Sequence, residues 1–212
     1  MPIDGTFNQQ ETSISIMSYT TKINFLIKSV IPITKKDINW KDISSISNLL
    51  LKNGFNDDYG NFYYRTHEDY FQIIPFYDKH LNYVYTSIPL YYLSKTNEDG
   101  DVIPFISEKE YLIAIKEYNS VFELFNNQLS IILGTPIIMD HYECDKISYK
   151  DFNNWGNKES YKYAVWELEH NYLVLQQDVS DLTSSFEDDI DFTIIDKSVF
   201  NRNKLPLSRL NE

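Results

Sequence analysis

Apolar and polar positions along this chain follow two rhythms, and the places where one gives way to the other mark out its elements. Residues 1–21 are polar and without a period, and read as a flexible arm. KINFLIKSVIPI (22–33) is dense in Ile and Val and closes near Pro32. It reads as a strand or a buried extended segment, because so short an apolar run carries no decisive period. From about Asn39 to Asn53 the spacing changes: Ile43, Ile46, Leu49 and Leu50 fall on one side of a helix. Gly54 then stands where a left-handed cap is expected.

Residues 55–94 are crowded with aromatic and β-branched side chains between turn-forming clusters such as DDYGN (57–61) and Asp78-Lys79-His80. The spacing predicts three strands, 61–66, 69–77 and 83–94. Pro89 is expected to break the third or hold it at a sheet edge, since it offers no N–H to a ladder. NEDGD (97–101) reads as a turn. A long helix follows over 108–133. Ser107 and Glu110 match the reciprocal S-x-x-E cap. Leu112, Ile115, Tyr118, Phe122, Phe125, Leu129 and Ile132 form one continuous apolar stripe. Gly134 stops this helix and Pro136 prevents its resumption.

Residues 137–160 read as an irregular connection. KYAVWEL (162–168) and YLVLQQDV (172–179) flank Glu169-His170-Asn171, a hairpin with Asn171 suited to a positive φ. IDFTIID (190–196) is a further strand, and 201–212 a polar tail. The predicted order is helix, antiparallel meander, long helix, antiparallel meander. That is an α+β fold with helices packed on antiparallel sheet. It is expected as one domain over 22–200, whose halves, 22–100 and 105–200, share an element order.

Composition narrows the chemistry. The 212-residue chain carries a formal charge of −12 and only three arginines, Arg65, Arg202 and Arg209, which disfavours nucleic acid as a partner. MPIDGTFNQQETS lacks the basic flank and apolar run of a secretory signal. The longest uncharged stretch, Leu124 to Met139, has 16 residues and is too short to span a bilayer, so no membrane partner is expected. A cytoplasmic location is the simplest expectation. The lone Cys144 rules out an intrachain disulfide.

Each catalytic pattern has a plainer reading beside it. The histidines His67, His80, His141 and His170 include no helical i, i+4 pair. Asp140, His141, Glu143, Cys144 and Asp145 crowd together, yet adjacent residues seldom converge on one ion, and a solvated acidic loop explains them. Cys144 lacks a nucleophile signature, and neither a G-x-S-x-G elbow nor a phosphate-binding glycine loop occurs. Glu167 and Glu169 would share a strand face, either as paired acids or as an outward polar face. The expectation is a protein that is not an enzyme and uses no metal or organic cofactor.

Two features point to partner binding. Nine of the 17 tyrosines lie between Tyr59 and Tyr92, either as an interface or as cross-strand pairs within a sheet. Between Gln176 and Asp196 stand seven acids and no Lys or Arg. Such a run creates a field that steers a basic partner, or merely solvates a loop. The candidate partner-binding residues are Asp178, Asp181, Glu187, Asp188 and Asp189, with Trp155 in its loop as an aromatic anchor.

LGTP (133–136), YAVWEL (163–168), YLVLQQDVSD (172–181) and DIDFTII (189–195) together resemble the second half of small bacterial immunity proteins of polymorphic-toxin and secretion systems. Those families share a long helix ending in L-G-x-P, a strand carrying W-x-L, a hairpin and an acidic closing strand. The resemblance covers 107–196 and implies a cytoplasmic inhibitor that binds one cognate, basic toxin. The element order also resembles secretion chaperones and adaptors, which bind effector proteins on apolar patches and are often homodimers. A dimer with an exposed apolar groove would favour the second class, and a localised acidic or aromatic patch the first.

Overall fold

The computed structural model of the chain describes residues 19–59, 61–65, 70–78, 83–93, 95–96, 102–103, 108–141, 160–179 and 188–199. The chain enters as a helix, not a strand. Helix α1 (residues 19–25) passes through a π turn, Leu26–Val30, into α2 (Ile31–Thr34). Ile23, Leu26, Val30 and Ile33 are all buried, and their steps of three and four follow a helical period. Burial of that stripe overrides the strand preference of the β-branched residues. Pro32 falls in the first turn of α2, where a missing N–H costs least. Residues 19–21, expected in the arm, belong to α1.

Helix α3 (Ile43–Lys52) begins four residues later than the pattern predicts, because Asp42 caps it. The Asp42 carboxylate accepts from the Ser45 backbone N–H at 3.0 Å, the Ser45 hydroxyl at 2.7 Å and the Ser44 N–H at 3.4 Å. Hydrogen bonds from Ser45 first, then Ser44, hold this carboxyl below its ordinary value of 3.8. Helix α4 spans Glu108–Leu133, the predicted range. Gly54 (φ +86°) and Gly134 (φ +85°) take up the left-handed conformations expected after α3 and α4. Ser107, half of the predicted cap on α4, lies outside the described residues.

The strands are β1 (Asn56–Asp58), β2 (Asn61–Arg65), β3 (Tyr70–Asp78), β4 (Tyr83–Leu93), β5 (Lys95–Thr96), β6 (Val102–Ile103), β7 (Ile138–His141), β8 (Ser160–Glu167), β9 (Asn171–Val179) and β10 (Asp188–Asp196). Eight of them form one antiparallel sheet in the order β1-β2-β3-β4-β10-β9-β8-β7, and β5 and β6 pair separately. The fold is α+β. In both halves a helix ends at a left-handed glycine, an edge strand follows, and a meander runs inward to the centre. There β4 and β10 pair from Asp188↔Leu93 to Ile195↔Tyr85. Strand β7 was not foreseen: it occupies part of the stretch expected to be irregular, and pairs with β8 from Ile138↔Val165 to His141↔Lys162.

Pro89 lies neither at a break nor on an edge strand. β4 is central, and the register shifts between Ile190 and Asp191, where Tyr91 and Pro89 oppose consecutive residues of β10. A bulge is one of the few interior places a sheet accepts proline. The β8–β9 connection is tighter than expected. Glu167 pairs with Tyr172 and the Leu168 N–H donates to the Asn171 carbonyl at 2.8 Å. Asn171 has no positive φ; it belongs to β9, buried, and its side-chain amide donates to the Thr34 carbonyl at 2.8 Å.

One sheet face and the four helices share the main core. Ile88 and Leu90 of β4, Phe192 and Ile194 of β10, Leu173 and Leu175 of β9, and Trp166 of β8 pack in one cluster with Tyr118, Phe122, Phe125 and Leu129 of α4. The alternate positions Val165, Val174 and Ile195 join Ile138 in a smaller cluster on the other face, flanked by Val199. Strands β8 to β10 therefore bury both faces, which explains the apolar runs 164–166 of β8 and 173–175 of β9. Hydrogen bonds tie helices to sheet: Trp166 Nε1 to the Gly134 carbonyl at 2.9 Å, Lys22 Nζ to the Leu90 carbonyl, Gln177 Nε2 to Asn119 Oδ1 at 3.2 Å, and the Asn171–Thr34 bond.

Candidate functional site

The acidic candidates are positioned by the central strands. Asp178 is the penultimate residue of β9, and Asp188 and Asp189 open β10. β9 and β10 are antiparallel neighbours, so the end of one strand and the start of the next lie at the same end of the sheet. Asp188 pairs with Leu93 and Asp189 with Tyr92, which places this end beside the last residues of β4. Asp178 pairs with Tyr161 of β8. The backbone thus gathers three acids across adjacent strands. Asp181 and Glu187, in the connection between them, and Trp155 lie outside the described residues.

The tyrosine-rich region divides. Tyr64 packs its ring against Phe55 and Phe25, with centroids 5.2 and 5.6 Å apart. Tyr91 lies between Tyr19 and Tyr118, at 5.8 and 5.6 Å. These two rings are core, as cross-element aromatic pairing implies. Burial first, then the charge of Glu117 and the neighbouring Tyr19, hold the Tyr91 hydroxyl far above its ordinary value of 10.0. Tyr59 is the opposite case. It is fully exposed at the tip of the β1–β2 hairpin with φ +52°, a conformation that costs a non-glycine residue. Asp57 and Asp58 beside it are also exposed.

The paired-acid arrangement does not form on one strand face. β8 ends at Glu167, and Glu169 lies in the bend that follows. The Glu167 carboxylate is 2.6 Å from Lys197 Nζ, which also sits 5.7 Å from the centre of the Tyr172 ring. Glu169 lies 3.9 Å from His170 Nε2. Among the described residues no group of three or more His, Cys, Asp and Glu is placed to hold a metal ion. Asp140 and His141 are the last two residues of β7, while Glu143, Cys144, Asp145, His67 and His80 lie outside the described residues.

Two surface features escaped the sequence pattern. A groove of about 800 Å3 runs along α4, lined by Ile115, Lys116, Asn119, Ser120, Glu123, Leu124 and Asn127 with Lys162 of β8. Lys162 Nζ is 3.6 Å from the Glu123 carboxylate and 5.8 Å from the centre of the Phe122 ring. Beside the apolar Ile115 and Leu124, the lining offers amides, a hydroxyl and a compensated ion pair. These can hydrogen-bond a polar segment but include no nucleophile beside a base. The sequence pattern marks only the apolar stripe of α4, and the placement of β8 is what brings Lys162 beside Glu123.

The second feature is apolar. Ile132, expected at the end of the buried stripe, is exposed, as are Ile131, Ile137 and Met139. The stripe is buried at Ile115, Tyr118, Phe122, Phe125 and Leu129, and then the helix runs past its support. No helix among the described residues is long and apolar enough to cross a membrane. No family model, characterised protein or solved structure matches this chain.

Proposed function

We propose that this protein is a cytoplasmic immunity protein that binds a cognate bacterial toxin and blocks its active site or its access to substrate. The observation that carries the reading is the gathering of Asp178, Asp188 and Asp189 at one end of the central strands, in a chain of net charge −12. Held at one end of adjacent strands by the sheet backbone, these three acids concentrate negative charge there. The field draws in a basic surface and fixes its orientation, so it acts mainly on the association rate. The resemblance over 107–196 supplies the class of partner, a basic toxin acting inside the cell, and the reading assigns the protein no catalytic role.

A second reading, a secretion chaperone or adaptor for an effector protein, is favoured by the exposed Ile131, Ile132, Ile137 and Met139. One experiment separates the two. Asp181, Glu187, Asp188 and Asp189 are replaced together by Asn or Gln, and association with the toxin encoded beside this gene is followed at low and high salt. The immunity reading expects a slower on-rate and a flatter salt slope in the variant, with dissociation nearly unchanged. An unchanged on-rate and slope reject the acidic end as the contact. Failure of the wild-type protein to rescue cells that express the toxin rejects the immunity reading and leaves the chaperone reading ahead.

A further inference from the structure

We propose that the edge strand β7, with the last turn of α4, is a self-association surface on which a second copy of this chain pairs its own β7. The inference is independent of the toxin reading, gives to a second copy the apolar residues that the chaperone reading gives to an effector, and starts from the two ends of the sheet. Among the described residues β1 and β7 are the terminal strands. β1 is three residues, Asn56, Asp57 and Asp58, all exposed. A short, charged strand of this kind blunts an edge against pairing. β7 occupies the corresponding place in the other half and is four residues long, with apolar Ile138 and Met139 ahead of Asp140 and His141.

The ladder to β8 begins before β7 itself, where the Ile137 N–H donates to the Val165 carbonyl at 2.8 Å. Ile138 turns its side chain into the small cluster on the far face. Alternation therefore puts Ile137 and Met139 on the α4 face, opposite the buried pair Trp166 and Ala164. Ile137 and Met139 are nonetheless 53% and 52% exposed, and Ile131 and Ile132 on the neighbouring helix turn are 72% and 48% exposed. An edge to which no strand among the described residues pairs, flanked by four large apolar side chains, is what a monomer is expected to cover.

Charge selects the occupant. Leu124 to Met139, the second half of α4, its cap and the start of β7, carries no charged residue. Asp140 is the one acid of β7, so a basic partner gains little from the protein's acidity here. A copy of the chain, itself at −12, meets less repulsion here than on its charged surfaces. A twofold axis beside β7 also sets the two strands antiparallel, continuing the only pairing this sheet uses. The contact is isologous, with each copy supplying the same apolar residues.

Sedimentation velocity on the full chain over a concentration series tests this. The expected result is a concentration-dependent species of twice the 25.1 kDa monomer mass. Added salt should strengthen it, because the Debye length falls from about 8 Å at physiological ionic strength to about 3 Å at 1 M and the two like charges are screened. Toxin capture by the acidic end has the opposite salt dependence, so the two contacts are told apart. The pair Ile137→Lys and Met139→Lys, and separately Ile131→Lys on the outer side of α4, should each return the protein to monomer with an unchanged circular dichroism spectrum. Leu51→Lys, near the opposite edge, should leave the dimer intact. A wild-type protein that stays monomeric at high concentration and high salt overturns the proposal. So does a dimer that survives Ile131→Lys and the strand pair, or one that Leu51→Lys abolishes.

Discussion

Tyr91 carries a local consequence that a survey of tyrosine content would miss. Its hydroxyl lies among Tyr19, Tyr118 and the Glu117 charge, so burial and a neighbouring negative group both oppose its ionisation. In the unfolded chain that opposition vanishes and the phenol titrates near its ordinary 10.0. Its proton therefore leaves the unfolded state first. The stability it contributes is complete below pH 10 and is lost as pH rises toward the elevated folded value. Tyr91→Phe should raise the pH at which alkaline unfolding begins while changing neutral-pH stability by no more than about 1.5 kcal/mol, the scale of one hydrogen bond. Denaturant melts between pH 7 and 11 measure this. A variant with the wild-type alkaline midpoint would show that other groups govern the transition.

At the scale of elements, α4 holds the second half of the sheet. Tyr118, Phe122, Phe125 and Leu129 are essentially inaccessible and share a cluster with strands β4, β8, β9 and β10. Phe122→Ala should cost about 3–5 kcal/mol, the range for emptying a buried aromatic site, read as a shift in the denaturation midpoint. Amides from Tyr118 to Leu129 should rank among the slowest to exchange. Fast exchange there would overturn the central place of α4. The residues near the end of this helix behave differently because the support changes beneath them. Gly134 and its carbonyl's bond to Trp166 fix where the helix stops, but Ile131 and Ile132 lie beyond the packed stripe.

At the scale of the whole molecule, the β4–β10 ladder joins two meanders that would each have an open inner edge alone. The main cluster spans that junction, with Ile88 and Leu90 on one side and Phe192 and Ile194 on the other. Unfolding should therefore be one cooperative transition. Tryptophan fluorescence, to which the deeply buried Trp40 and Trp166 contribute, and far-ultraviolet circular dichroism should give coincident curves. Two separated transitions would mean that the halves fold independently. Local pattern was enough for α4 to its end residues, for α3, for the strands from β2 to β4 and from β8 to β10, and for the glycine caps, because burial periodicity and backbone freedom are properties of a few neighbours. It misjudged residues 22–33, where one buried side decided between helix and strand. It misplaced Pro89 as well, since a bulge depends on the opposing strand. It likewise assigned Asn171 to a turn, when its amide reaches a helix end 137 residues away in sequence. The acids of β9 and β10 were visible in the sequence as charge alone. Their placement at one end of the sheet, and the exposure of Ile137 and Met139 at another edge, came from strand order and register, which join residues far apart in the chain and leave no local trace.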